Sequence, residues 1–237
     1  MRDAIYEAGR PIVFSICEWG ENEPWKWAKD VGHLWRTTID IVNCFDCKTN
    51  WGGLGVLQII DAQVPLRIYS GPGHWNDMDM LEIGNDKLTS AEAKTHFSMW
   101  SMLASPLIAG NDLRKMDPET IDILTNKEVI AINQDTLGAS AIKMMDYGDF
   151  EIWFKPLENK NYAVCFMNRS DQPYKMDYTL NDKGVFDNAR EENVFYKITD
   201  NYQMYDIWNK EDLGRVTNKL DQTIDPHGVL LLKLTKK

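Results

Sequence analysis

The chain has 237 residues, 43% hydrophobic and 26% charged, a globular composition with room for one large domain or two smaller ones and nothing of the profile of disorder. A formal charge of −10 opposes phosphate backbones and anionic lipid, so no nucleic acid and no membrane surface is expected as a partner, and a neutral ligand is. No apolar run reaches the roughly 20 residues of a bilayer span, and the first residues lack a signal-peptide pattern. In chain order, residues 1–10 carry a helical pattern, and after Pro11 the run 12–16 (I-V-F-S-I) reads as a fully buried parallel strand. A Trp-rich helix is predicted at 24–31, a strand at 35–41, a helix at 55–63 and a strand-like segment at 75–81. A strong helix follows at 90–104, with Ser90 as its cap, then a strand at 106–109 and a helix at 118–126.

This alternation predicts βα units on a parallel sheet, and four such units amount to half of a (β/α)8 barrel. Past residue 141 the character changes. Runs at 150–154, 162–166 and 229–234, separated by Asn, Asp, Gly and Pro, predict antiparallel strands. The expected fold is therefore α/β: the C-terminal half of a TIM barrel over residues 1–138, followed by an antiparallel all-β sandwich over 139–237. Of the four cysteines, Cys44 and Cys47 form a C-x-x-C pair while Cys17 and Cys165 stand apart. With no second pair and no His at ligand spacing, neither a metal nor a cofactor is expected, and the pair is either a local disulfide or two thiols.

Working residues of a β/α barrel sit just past the C-terminal ends of the strands, where the loops converge. Three such places are polar here: Cys17-Glu18-Trp19-Gly20 after the first strand, Arg36 to Asp40 after the second, and Trp75-Asn76-Asp77-Met78-Asp79 after the third. Carboxylates beside indoles suit sugar hydrolysis, in which acids handle protons and flat rings hold the sugar. The competing structural role for such acids is to cap helices and bind loop amides.

Five strings sharpen this pattern: G-R-P-I-V-F-S-I-C-E-W-G, L-W-R-T-T-I-D-I, G-P-G-H-W-N-D-M-D-M-L-E-I-G-N, A-S-P-L-I-A-G-N-D-L and A-I-N-Q-D-T-L-G. In order and spacing they resemble glycoside hydrolase family 27, the melibiase-type α-galactosidases. The resemblance implies a retaining double displacement that removes terminal α-D-galactose from oligosaccharides. On it, Asp40 matches the acid/base, Arg36 the arginine that holds sugar and acid, and Asp79 an aspartate bonded to a ring hydroxyl. Trp19 matches a pocket-wall aromatic, Cys17 a small residue near the 2-hydroxyl, and Glu18 a substrate-contact position.

Two positions depart from the family pattern. Ile39 replaces the usual small residue before the acid, which puts the aim of Asp40 in question, and Met78 replaces the usual Pro. The family's nucleophile, in a lysine-x-aspartate context about four dozen residues before the acid, falls upstream of the 39 residues that precede Asp40. The resemblance thus implies a chain that cannot form a glycosyl-enzyme by itself. It also implies open strand edges, filled either by a complementary N-terminal half-barrel chain or by self-association. A β-L-arabinopyranosidase of the same fold and an inactive carbohydrate-binding or structural remnant are the alternative functions. An N-acetylgalactosaminidase is disfavoured by Cys17-Glu18-Trp19.

Overall fold

The computed structural model describes residues 1–188 and 193–237. Helix α1 (Arg2–Glu7) leads into β1 (Ser15–Ile16), which pairs in parallel with β2 (Leu34–Arg36); β2 in turn pairs in parallel with β3 (Trp75–Asp77). All three are shorter than the apolar runs suggest, because the residues beyond them bond to loops. Past β2, for example, Thr37 N–H still donates to the Asp77 carbonyl at 3.1 Å as the chain turns toward the mouth of the sheet. The strand predicted at 106–109 is reduced to a single parallel bridge between Leu81 and Ala109. Pro106 at its start has no N–H to give to a ladder.

The other elements of this half are α2 (Val56–Gln63), α3 (Ser90–Met102), α4 (Pro118–Leu124) and α5 (Lys127–Asn133). The helix predicted at 24–31 is instead two single 3-10 turns, Pro24–Lys26 and Ala28–Asp30, interrupted at Trp27, where φ is −130°. The cap of α3 is Thr89 rather than Ser90: its hydroxyl accepts from the Glu92 N–H, and the Glu92 carboxylate accepts from the Thr89 N–H. T-x-x-E satisfies both halves of a capping box, whereas S-x-x-A satisfies one. The helix predicted to reach residue 126 ends at Leu124, because the Asn126 side chain caps α5.

Residues from 142 onward form β4 (Ile142–Asp146), β5 (Phe150–Pro156), β6 (Tyr162–Asn168), β7 (Tyr174–Tyr178), β8 (Gly184–Asp187), β9 (Val194–Lys197), β10 (Tyr202–Asp206), β11 (Glu211–Arg215), β12 (Leu220–Ile224) and β13 (Val229–Lys236). Six of them make an antiparallel sheet in the order β11-β10-β13-β6-β5-β4, while β7 pairs with β12 and β8 with β9. Side chains alternate across a strand, and here both faces are covered. Trp153, Cys165 and Leu231 join Phe97 and Trp100 of α3 in one core; Phe154, Val164, Phe166 and Leu232 join Met176, Val185 and Leu220 of the smaller ladders in another. Every residue of β5 and β6 is buried, which is why their sequences are mainly apolar, with Glu151 and Lys155 of β5 the buried charged exceptions.

The β sheet and the βα half are also held together by polar contacts. Arg169 makes two bonds to Asp61, at 2.7 and 2.8 Å, and one to Glu151 at 2.7 Å; His227 bonds to Glu92 at 2.8 Å. Fully buried Lys155 donates from Nζ to the Ser101 carbonyl in the last turn of α3, at 2.8 Å. Among the described residues no helix is long and apolar enough to cross a membrane.

Candidate active site

Loop one, after β1, is shaped by Trp19 and Gly20. Both have positive φ, 59° and 79°, and Glu21 N–H closes the turn on the Glu18 carbonyl at 3.2 Å. A tryptophan in the left-handed region is uncommon. Gly20 is obligatory for a second reason: a Cβ there would lie 2.3 Å from the Thr37 carbonyl oxygen, so the turn is seated directly on the end of β2. The consequence is that Trp19 reaches across and donates its Nε1–H to Asp40 Oδ1 at 3.0 Å.

The same Oδ1 accepts from Arg36 NH2 at 3.2 Å, and that nitrogen also lies 2.6 Å from Asp79 Oδ2. One guanidinium therefore holds two carboxylates. Arg36 and Asp79 side chains are only 10% and 15% exposed, whereas Asp40 is 50% exposed, so the cluster runs from a buried inner wall to an open mouth. Asp40 Oδ2 takes no hydrogen bond from the described residues.

Asp79 is fixed on every side. It sits at φ 77°, a conformation that Asp tolerates better than most residues. Its carboxylate accepts from the Ile41 and Met80 N–H groups, each at 2.8 Å, and its carbonyl accepts from Trp100 Nε1 at 2.9 Å. Asp77 supports it, accepting the Asp79 N–H at 2.9 Å. Burial pushes the Asp77 carboxyl up, against the lowering effects of that N–H and of Arg36. Asp77 is thus a brace behind the site. Met78, completely buried, donates to Ser105 Oγ at 3.0 Å the N–H that a Pro would lack. Ile39 is not among the described residues with positive φ. The left-handed backbone at this mouth falls on Trp19 and Asp79, so a β-branched residue at 39 is accommodated.

Of the residues singled out from sequence, Trp19, Arg36, Asp40 and Asp79 meet in one cluster. Glu18 is committed to its own loop, accepting from the Asn22 backbone and side-chain amides at 2.9 and 2.8 Å, while its Oε1 is buried without a partner. Cys17 is an exposed free thiol with no hydrogen bond among the described residues. Cys44 and Cys47 form a disulfide. Sequence reasoning missed the supports, Gln63 on the Thr37 hydroxyl and Trp100 on Asp79, because each lies on another element. It also passed over Trp51, whose only signal is an indole set among polar and glycine residues.

The family model described as Alpha galactosidase A matches residues 1–135. The chain belongs to this family. The model described as Alpha galactosidase C-terminal beta sandwich domain matches residues 147–234. Alpha-galactosidase A of Cellvibrio japonicus is 52% identical over all of this chain and 59% of its own length. Among solved structures, α-galactosidase I from Mortierella vinacea superposes with a TM-score of 0.87 at 29% identity, over 100% of this chain and 62% of that one. A β-L-arabinopyranosidase from Geobacillus stearothermophilus gives 0.79 at 26%, over 99% and 52%. The chain thus spans between about half and three-fifths of the length of these relatives.

Proposed function

We propose that this chain supplies the acid/base half of a retaining α-galactosidase site, and that the attacking carboxylate comes from sequence outside these residues. The supporting observation is the shared guanidinium: Arg36 and Trp19 hold Oδ1 of the half-exposed Asp40 and leave Oδ2 without a bond among the described residues. In the first step the nucleophile bonds to the anomeric carbon, the C–O bond breaks, and the departing oxygen takes its electron pair and the proton on Asp40 Oδ2. In the second step the Asp40 carboxylate takes a proton from the water that attacks the same carbon, which releases the sugar and restores the acid.

Asp79 and Arg36 take hydroxyls of the galactose ring, Trp19 forms the wall, and Cys17 lies toward the 2-hydroxyl; Glu18 shapes the loop that carries them. An α-galactoside is favoured over an arabinopyranoside by the 52% identity to the Cellvibrio japonicus relative, against 26% to the arabinopyranosidase. The change from βα half to sandwich is placed at residues 138 and 139. The open edges, at β1 and beside Ala109, are the places where further barrel strands, from a companion polypeptide or a second copy, would pair.

The test is hydrolysis of α-galactosides by this chain alone and after joining it to the preceding part of the Cellvibrio japonicus relative. We expect turnover only in the joined protein. There Asp40→Asn should cost far more with melibiose than with a dinitrophenyl α-galactoside, whose leaving group needs no proton. Equal losses with both substrates would remove Asp40 from the acid role, and turnover by the chain alone would refute the missing nucleophile.

A further inference from the structure

The loop after β2, residues 41–55, is tethered more tightly than its length requires. The Cys44–Cys47 disulfide closes its first turn. Thr49 N–H donates to the Gly53 carbonyl at 2.9 Å, Gly55 N–H to the Cys47 carbonyl at 2.9 Å, and Val42 N–H to the Leu54 carbonyl at 2.8 Å. The loop is tied to the site itself, since Leu54 N–H donates to the Asp40 carbonyl at 3.1 Å and Ile41 bridges to Leu54.

This loop carries Trp51, which is 58% exposed. The ring is not loose. It packs so closely on Gly53 that a Cβ at residue 53 would lie 2.4 Å from the indole and 2.7 Å from a Val42 methyl. Its Nε1, like those of Trp25 and Trp75, makes no hydrogen bond among the described residues, whereas the indoles of Trp19, Trp27, Trp35, Trp100, Trp153 and Trp208 donate. A large apolar ring held in a fixed pose and left uncovered offers a flat face on which another ring can stack.

What lies against it follows from the position of Asp40. The proposed acid protonates the glycosidic oxygen, so the group beyond that oxygen leaves on the outer side of Asp40, away from Arg36 and Asp79. The loop that carries Trp51 is fastened to the backbone of Asp40, the exposed end of the cluster. Resting on the galactosidase reading above, we infer that Trp51 is the platform for the leaving group, stacking on the C–H face of a second sugar ring and selecting α-galactosides whose leaving group is itself a sugar. The disulfide and Gly53 keep the platform preformed, which reduces the ordering cost of binding.

The experiment compares melibiose with methyl α-D-galactoside, which share the galactose and the glycosidic oxygen and differ only in the second ring. Dissociation constants are measured by ligand-observed NMR on the joined protein carrying Asp40→Asn, so that the site is complete and nothing is turned over. We expect melibiose to bind about tenfold tighter, the size of one aromatic contact. Trp51→Ala should abolish that preference and leave methyl galactoside unchanged, and Trp51→Phe should keep most of it. The melting temperature of Trp51→Ala should stay with its parent's, as at other exposed positions. A preference that survives Trp51→Ala, or equal loss of both ligands, overturns the platform alone. Binding of neither ligand to the parent overturns the galactose reading and the platform with it.

Discussion

Replacing Lys155 by Met should stabilise the protein below neutral pH and lose that effect as the solution turns alkaline. Lys155 is fully buried between β5 and the end of α3, and burial lowers its pKa from 10.5 to about 7. At about 1.4 kcal/mol per pH unit, holding the ammonium in that place at pH 6 costs about 5 kcal/mol. Met fills a similar volume and removes this cost, but it leaves the Ser101 carbonyl without its donor, a loss of about 1–3 kcal/mol. The net gain at pH 6 is therefore about 2–4 kcal/mol. The folded-state value lies below the unfolded one, so between pH 7 and 10.5 the unfolded chain binds more protons and the natural protein gains stability as pH rises. By pH 9 roughly 3 kcal/mol of the penalty is gone, and the two proteins should be about equal. Urea midpoints of both at pH 6 and pH 9 test this, and only Lys155 differs between them, so other titrations cancel. A stability difference that is the same at both pH values would show that burial does not shift Lys155 and would refute the reasoning.

Three further outcomes are expected. Arg36→Met should cost about 3–5 kcal/mol in thermal unfolding, because it leaves the mostly buried Asp79 carboxylate without a counter-charge; adding Asp79→Asn should recover much of it, and a single-mutant loss below about 1 kcal/mol would argue against the shared cation. Gly20→Ala should destabilise by more than about 1 kcal/mol and shift the Trp19 indole N–H resonance, since the new methyl group meets the Thr37 carbonyl and φ there is 79°. Arg169→Met should cost about 1–3 kcal/mol by leaving Asp61 with only a 3.9 Å contact to Lys143 and the buried Glu151 with Lys143 and the Trp153 indole. A loss within about 0.5 kcal/mol would mean that the apolar core, and not the ion pairs, holds the two halves together.

What the sequence made legible depended on how many faces of an element are covered. Strands β5, β6 and β13 stand out because their residues are buried on both faces, whereas β7 and β9, with exposed positions such as Tyr174 and Phe195, carry alternating and partly polar sequences that do not separate from turns. Barrel strands were legible as runs but not as lengths, since the backbone near Thr37 keeps bonding after the ladder ends. The cluster of Trp19, Arg36, Asp40 and Asp79 was reachable through local strings. Glu18 was not separable from it, because a carboxylate that closes its own turn on Asn22 looks, as sequence, like one aimed at a ligand. Trp51 was hidden for a different reason: its significance comes from the tether between Leu54 and Asp40, which no spacing rule supplies.

The geometry also constrains how much the inner wall can do. An ionised carboxylate offers about four acceptor directions, and Asp79 already receives two N–H donors, Ile41 on Oδ2 and Met80 on Oδ1, beside its ion pair with Arg36 at Oδ2. The Arg36 contact crowds Oδ2, so the free acceptor capacity of Asp79 lies mainly on Oδ1. Asp40 is the reverse case, with both donors on Oδ1 and a whole oxygen left over. Arg36 links the two, and any ligand that pulls it toward Asp79 lengthens its bond to Asp40. Occupancy of the inner wall and the aim of the outer carboxylate are thus mechanically coupled through one guanidinium. Both contacts run through one nitrogen, which also donates to the Thr38 carbonyl at 3.3 Å, so the coupling rests on a single NH2 group.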